Sequence, residues 1–258
     1  MSPLAGVLHV VEYDAMVFRN VWRGTIMTTF LNPLFFLTAM GWGLGAFVNR
    51  GAGGVGGVPY IEFLAPGLLA TSTMQTAAGE CMYPLLGKLM WDRTYDAMLA
   101  TPMRVGHVVV GEVAWVTLRL LMVSTIFWIV MLAFGVVHSP LALLVIPAAV
   151  LTGLAFATPI MSYTATRQDP NGFANVFRFL IMPLFLLGGA FFPITQLPFV
   201  VQLVAWATPL SHGVALCRSL VLGNVVAGEA LLHVAVIAAY AVAGFLLARI
   251  LFIRRLAK

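Results

Sequence analysis

The stretch LLMVSTIFWIVMLAFGVVHSPLALLVIPAAVLTGLAFATPIMSYTAT, residues 120–166, carries not one Asp, Glu, Lys or Arg. A helix needs roughly 20 mostly apolar residues to cross a bilayer, so this run is too long for a single crossing. Gly135 and the His138-Ser139-Pro140 break divide it, which places one span over 106–133 and another over about 141–164. The same procedure, taking the gaps between charges, works outward in both directions. Residues 24–49 lie between Arg23 and Arg50 and give a first span; residues 63–79, starting near Tyr60, give a second. A fifth begins near Phe173 and runs to Gly188-Gly189, and the last occupies about 229–252. The pattern predicts an all-α, polytopic membrane protein with six transmembrane helices in a single domain, residues 1–258.

Composition agrees. Of 258 residues, 61% are hydrophobic and only 9% are charged, against about 25% charged in an ordinary soluble domain. A soluble fold of this length could not cover its surface with so few charges. The mean hydropathy is +0.99. A soluble enzyme, a disordered chain and a nucleic-acid binder are excluded, despite a pI near 9.6. Cys81 and Cys217 fall near opposite membrane faces and are expected unpaired. The N-terminus shows no basic region followed by an apolar run and a small-residue cleavage site, so no cleavable signal peptide is read there.

The basic residues fix an orientation. With both termini inside, the inner side carries Arg19, Arg23, Lys88, Arg93, Arg104, Arg167, Arg178, Arg249, Arg254, Arg255 and Lys258. The outer side carries Arg50 and Arg218, and Arg119 lies within a span. Eleven bases against two is a strong positive-inside signal. The excess of arginine over lysine points to a GC-rich bacterial genome, hence to a bacterial cytoplasmic (inner) membrane.

Several segments are not spans. In residues 1–23, Leu4, Leu8, Val11, Ala15, Phe18 and Trp22 recur at helical spacing, with His9, Glu12, Tyr13, Asn20 and Arg23 opposite. The spacing predicts an amphipathic helix in the inner interface. It fits a plain membrane anchor and an elbow touching a cytosolic partner equally. Gly51, Gly53 and Gly56 match G-x-G-x-x-G, but no strand precedes them, so they read as a flexible outer loop. Lys88–Ala100 has no helix breaker and mixes apolar with charged positions, and Thr101-Pro102 suits a cap and first turn for the third span. A short cytosolic helix over 88–101, joined tightly to a span, could carry a push from a soluble partner. Lys88, Trp91, Asp92, Arg93, Tyr95, Asp96, Thr101, Pro102 and Arg104 are its candidate coupling residues. The segment 190–217 is apolar yet broken by Pro193, Pro198 and Pro209, after Gly188-Gly189, and ends near His212. It reads as a helical hairpin re-entering from the outer face, since irregular backbone at that depth must be buried in protein or line a cavity.

Charges within spans are costly and face protein or water. Arg119 is expected to associate with Glu80 or with Glu112, the latter two turns away, roughly 10 Å by helical rise. Glu62 suits a capping or headgroup contact. No Ser/His/carboxylate constellation or H-E-x-x-H is present, and His9, His107, His138, His212 and His233 are scattered. Neither a catalytic nor a metal site is expected.

Arg93-Thr-Tyr-Asp-Ala-Met-Leu-Ala-Thr-Pro102, followed by Arg104 and Gly111-Glu112, resembles the cytosolic segment of type-2 ABC-transporter permeases, the NodJ-like branch above all. Glu62-Phe-Leu-Ala-Pro-Gly-Leu-Leu69, Gly188-Gly-Ala-Phe-Phe-Pro193 with Leu197-Pro198, and Pro209-Leu-Ser-His212 with Arg218 and Leu222-Gly223 are similar to the same family, in order along nearly the whole chain. The resemblance implies a permease that pairs with a second copy of itself and with two copies of a separate ATP-binding-cassette ATPase. ATP and Mg would bind to those ATPases and no cofactor to this chain. Residues 88–101 would be the coupling helix, and the substrate an amphiphile such as a lipo-oligosaccharide, a lipid or a hydrophobic drug. The competing class, a self-sufficient secondary transporter or channel, normally shows intramembrane carboxylates for ion coupling or paired broken repeats. Here the deepest charge is a cation and no repeat is visible. A membrane enzyme acting on lipid-linked sugars would need a catalytic cluster, which is lacking.

Overall fold

The computed structural model describes residues 3–256; Lys258, counted above among the inner bases, lies outside them. The chain is helical almost throughout. Its one strand-like feature among the described residues is an isolated bridge between Val55 and Val58.

The helices are α1 (Pro3–Phe36), α2 (Gly45–Ala52), α3 (Tyr60–Cys81), α4 (Tyr83–Met90), α5 (Thr94–Leu99), α6 (Val105–Ala133), α7 (Val145–Ala165), α8 (Asn171–Val176), α9 (Met182–Leu187), α10 (Phe199–Ala207), α11 (Pro209–Leu222) and α12 (Ala227–Leu256). Wider π-helical turns at Leu37–Leu44 join α1 to α2, and others at Phe177–Ile181 join α8 to α9. Four helices are long and apolar enough to cross a membrane: Leu4–Gly51, Val105–Ala133, Pro140–Ala165 and Ala227–Leu256. A fifth crossing results if the bent pair Phe199–Ala207 and Pro209–Leu222 counts as one span. Of the six expected spans, the second is present as α3, whose Thr, Ser, Gln and Glu residues lower its hydropathy. The fifth is the shorter apolar helix Asn171–Leu187.

The expected division at Arg23 is absent. Helix runs without interruption from Pro3 to Ala52, so no loop separates residues 3–23 from the rest of α1. Charged side chains mark where burial is costly; they do not break a backbone. Pro33 is the nearest true disturbance, because it lacks the N–H that would bond the Thr29 carbonyl, and the π-helical turns follow it. α1 runs parallel to α6 along their length. A Cβ added at Gly6 would meet the His107 ring at 2.5 Å, and one at Gly111 would meet Val10 at 2.5 Å. Phe18 then meets Trp115 and Trp42 meets Phe134, with ring centroids 5.8 and 5.3 Å apart.

This packing leaves outward the apolar face expected of residues 1–23 and turns a third row inward. Leu4 and Leu8 are 76% and 63% exposed, whereas Val10 and Asp14 are buried. In lipid an apolar face gains nothing by turning inward, so small and polar side chains take the helix contacts. The α7–α12 contact shows the same rule: Thr158 Oγ1 donates to the Ala241 carbonyl (2.9 Å) and Ser162 Oγ to that of Gly244 (3.0 Å). At the centre lies α3, with Leu64, Leu69, Ala70, Met74 and Ala77 fully buried between α6, α7 and α11. Its buried Thr71 and Thr73 hydroxyls donate to their own helix at Leu68 and Ala70.

Two ends result. One gathers 82–104, 164–173 and the end of α12: Thr164 Oγ1 donates to the Cys81 carbonyl (2.7 Å), and Arg255 donates to the carbonyls of Thr164 and Ala165 (3.2 and 2.9 Å). We call it the basic end. The other gathers 49–60, 134–139, 188–198 and 223–226, where the Tyr60 amide donates to Asn49 (3.0 Å) and the Tyr60 hydroxyl to the Phe191 carbonyl (3.2 Å).

Candidate functional site

At the basic end the chain from α4 to α6 forms an exposed tip above a buried cluster of charges. α4 ends where the amides of Trp91 and Asp92 both donate to the Gly87 carbonyl (2.9 and 3.0 Å). Arg93 then takes a left-handed conformation (φ 47°), the only non-glycine residue to do so among those described. That geometry costs an ordinary L-residue roughly 1–2 kcal/mol and stops the helix. The single helix expected over 88–101 is therefore two helices with a sharp turn between them. Thr101 and Pro102 do not cap α6 as expected; they lie in a turn, with Thr101 Oγ1 donating to the Met98 carbonyl (2.6 Å). The N-cap is Arg104, in extended backbone, whose amide donates to His107 Nδ1 at 3.3 Å.

The candidate coupling residues divide into two sets. Trp91, Asp92, Arg93, Asp96, Thr101, Pro102 and Arg104 are exposed. Lys88 and Tyr95 turn inward. Tyr95 is fully buried, its ring 6.2 Å from that of Phe252 in α12, and the neighbouring Thr94 Oγ1 lies 3.4 Å from the Tyr13 hydroxyl of α1.

Lys88 anchors the buried cluster. Its Nζ donates to Glu112 Oε1 and Oε2 of α6 (2.7 and 2.9 Å) and reaches Asp14 Oδ1 of α1 at 2.5 Å. Two helical turns along α6 from Glu112, Arg119 Nε donates to Glu80 Oε1 at 2.8 Å, and its guanidinium stands 4.6 Å from the centre of the Phe18 ring. Of the two associations considered for Arg119, the structure makes the one with Glu80; Glu112 is taken by Lys88. Asp14 was missed in the sequence because it fell on neither of the two faces read for residues 1–23. The signal was the row Gly6, Val10, Asp14, Phe18 at four-residue spacing. The cluster lines a cavity of 230 Å³.

With two further cavities along the same continuous helix it makes up an interrupted cleft. A second cavity of 340 Å³ lies between α1, α3 and α6, with Thr28, Thr29, Asn32, Ser72, Gln75 and Thr76 on its wall. A third, of 720 Å³, lies toward the other end, lined by Met40, Leu44, Tyr60, Leu186 and Phe192 among others. Phe36 and Phe185 belong to both. With Phe191 they form an aromatic knot, centroids 5.0 to 6.1 Å apart.

The predicted re-entrant segment borders this far end. After Gly188 and Gly189 (φ 85°) come Pro193, a short 3-10 turn at Ile194–Gln196, and Pro198 at the start of α10. α10 and α11 meet at 82°, with Pro209 in the first turn of α11. Arg218 ties the segment down, donating to the Phe63 and Gly189 carbonyls (3.1 and 2.8 Å) above the Phe63 ring. Two of the supposedly scattered histidines meet here: His212 Nδ1 and His233 Nδ1 are 2.8 Å apart. His212 Nε2 faces the Trp206 carbonyl (3.0 Å). A carbonyl only accepts, so Nε2 carries the proton and Nδ1 receives one from His233. Glu62, in the first turn of α3, pairs with His138 at 3.1 Å. Cys81 and Cys217 are free and buried. Among the described residues no group of three or more His, Cys, Asp or Glu could hold a metal ion.

A tip of exposed residues on a charge-braced span, beside a membrane-depth cleft, can be compared with known proteins. The family described as ABC-2 type transporter matches residues 14–222. The chain belongs to that family. As an ABC-2 chain it is a membrane subunit of an ABC transporter, with a multi-pass location and a role in transport. It is similar to nodulation protein J of Rhizobium leguminosarum bv. viciae, 37% identical over 96% of this chain and 94% of that one. Nodulation protein J of Rhizobium meliloti is 34% identical over 93% and 90% of the two chains. The inner membrane transport permease YadH of Escherichia coli is 23% identical over 70% and 69%.

Proposed function

We propose that this ABC-2 subunit is the permease of an ATP-driven exporter that moves an amphiphile out of the cytoplasm or inner leaflet. It works in the bacterial inner membrane with both termini cytoplasmic, as a pair of permeases carrying two ATPase subunits. ATP and Mg bind in those ATPases, and this chain holds neither. The observation that carries the proposal is the tip at 91–104. It is an exposed, charge-bearing segment of a mostly apolar chain, it holds Trp91, Asp92, Arg93, Asp96 and Arg104 outward, and it is joined by a short turn to α6.

ATP binding closes the ATPases on each other and displaces the tip. The displacement reaches α6 through the Arg104 junction and separates the two permeases along the cleft. The path is lined by the second and fifth of six spans, here α3 and the stretch around Phe185, together with α1 and α6. The bent α10–α11 segment caps its outer end. No charged side chain lines the middle cavity. Its hydroxyls and amides suit the polar part of an amphiphile, and Phe36, Leu68, Val123, Phe127 and Phe185 its lipid portion, without an ionic partner.

The test is co-purification of the tagged chain with an ATPase, followed by amphiphile-stimulated ATP hydrolysis. With Arg93→Ala and Asp96→Ala together, ATPase recovery falls while the permease keeps its thermal stability, because both side chains are exposed. Undiminished association and transport would sink the coupling assignment. Transport by the chain alone, driven by an ion gradient, would point to a secondary transporter.

A further inference from the structure

We infer that Lys88, Asp14 and Glu112 form the joint that passes movement of the exposed tip into α1 as well as α6. The inference rests on the reading of the chain as an ATPase-driven permease and names the residues through which that reading works.

The tip joins α6 directly through the chain. Its connection to α1 is not covalent, since α1 lies far away in sequence. Lys88, in the last turn of α4, supplies the charged link, beside the Thr94–Tyr13 contact: one ammonium holds Glu112 of α6 at 2.7 Å and Asp14 of α1 at 2.5 Å. The bond from Lys88 to Glu112 closes residues 88–112 into a loop whose outermost part is the exposed tip. The bond from Lys88 to Asp14 fastens that closed loop to α1. All three side chains are shielded, at 12%, 5% and 4% exposure, so solvent weakens the bonds little.

α1 forms one wall of the cleft at every level, from the charge cluster through Thr28 and Asn32 to Phe36 and Met40. A push that moved α6 alone would leave that wall behind. Asp14 and Glu112 share the one Lys88 ammonium, and Asp14 Oδ2 is buried with no hydrogen-bond partner. A purely structural brace would gain nothing from this extra buried carboxylate. A fastening that shares one lysine between two helices has a use for it, because each carboxylate keeps its helix attached to the same cation.

The experiment uses the permease purified with its co-isolating ATPase in lipid nanodiscs, with Ser72→Cys as a reporter inside the cleft. Cys81 and Cys217 are buried and stay unlabelled. Adding ATP and vanadate, which traps ADP in the ATPase site, is expected to change the Ser72→Cys labelling rate by about fivefold or more, the low end of ordinary coupling between sites. In Lys88→Met that change is expected to vanish while basal ATP hydrolysis persists; Lys88→Arg, which keeps charge and reach, restores it. Lys88→Met strands two carboxylates and could fail to fold. The neutral triple variant Asp14→Asn, Lys88→Met, Glu112→Gln removes the joint without stranding a charge, and it too should hydrolyse ATP and show no change in labelling. A nucleotide response retained in the triple variant overturns the joint. So does a loss of response that merely follows an equal loss of ATP hydrolysis. No co-isolating ATPase, or no response in the unmutated complex, overturns the ATP-driven reading itself.

Discussion

Arg119 shows what a single charge requires at this depth. Its guanidinium is satisfied by Glu80 at 2.8 Å and by the face of Phe18, and it is nearly enclosed. Removing one member of a shielded pair leaves the other charged and unpaired, which costs about 3 kcal/mol. Arg119→Met is therefore expected to lower the thermal unfolding temperature in detergent markedly. Adding Glu80→Gln to it should recover most of the loss, because the stranded charge disappears. Equal damage from the single and double variants would mean that the contact with Phe18, not the ion pair, holds the site. That Arg119 needs an acidic partner was legible from its place within a span, with Glu80 and Glu112 both open. Asp14 and the Lys88 bridge were not, since nothing local to residue 14 distinguishes a buried carboxylate from one on a solvated face.

At the scale of elements, the helices meet through small residues and hydroxyl groups. Gly244 is a tight case: a Cβ there would come within 2.5 Å of Thr158 Oγ1 and 2.7 Å of the Pro159 backbone nitrogen. Proline backbone cannot retreat, so Gly244→Val must push α12 away from α7. Overpacking of this kind costs about 2 kcal/mol and would also break the hydrogen bonds from Thr158 and Ser162. Gly228, in the first turn of α12, has open space around it. Gly228→Ala should leave stability unchanged or slightly raised, since alanine favours helix. Paired unfolding curves of the two variants check both expectations. The spans at α6, α7 and α12 were legible because length and apolarity suffice to define them. The continuity of α1 was not, because a run of charges looks like a boundary whether or not the backbone bends. The break at Arg93 was invisible for the converse reason: no glycine or proline announces it, and only the inward pull of Thr94 and Tyr95 accounts for it.

For the whole molecule, the alternation of the helices sorts the loops into two ends, and the basic residues crowd one of them. If that end is cytoplasmic, Ala97→Cys in the exposed tip should react with a membrane-impermeant thiol reagent after lysis and stay unreacted in intact spheroplasts. Gly51→Cys, with nothing within 4 Å of its Cβ position, should react in intact spheroplasts. The reverse pattern would invert the orientation and remove the tip from the reach of a cytosolic ATPase. The cleft along α1 is also a whole-molecule feature. Its walls come from residues near 28, 72, 123 and 185, which no sequence motif links.

The division between sequence and fold follows the nature of each cost. By itself the sequence determined what depends on transfer from water to lipid: membrane class, the main spans, a one-sided excess of basic residues and the scarcity that makes each charge informative. These are sums over local composition, and the bilayer imposes them on every segment separately. Tertiary structure alone decided which polar groups meet. Lys88 joins Asp14 to Glu112, His212 meets His233, and Leu4 and Leu8 turn outward while Val10 and Asp14 turn in. In a membrane, apolarity says only that a face can touch lipid. Which small or polar row packs against which helix is set by close approach and hydrogen bonding between distant segments.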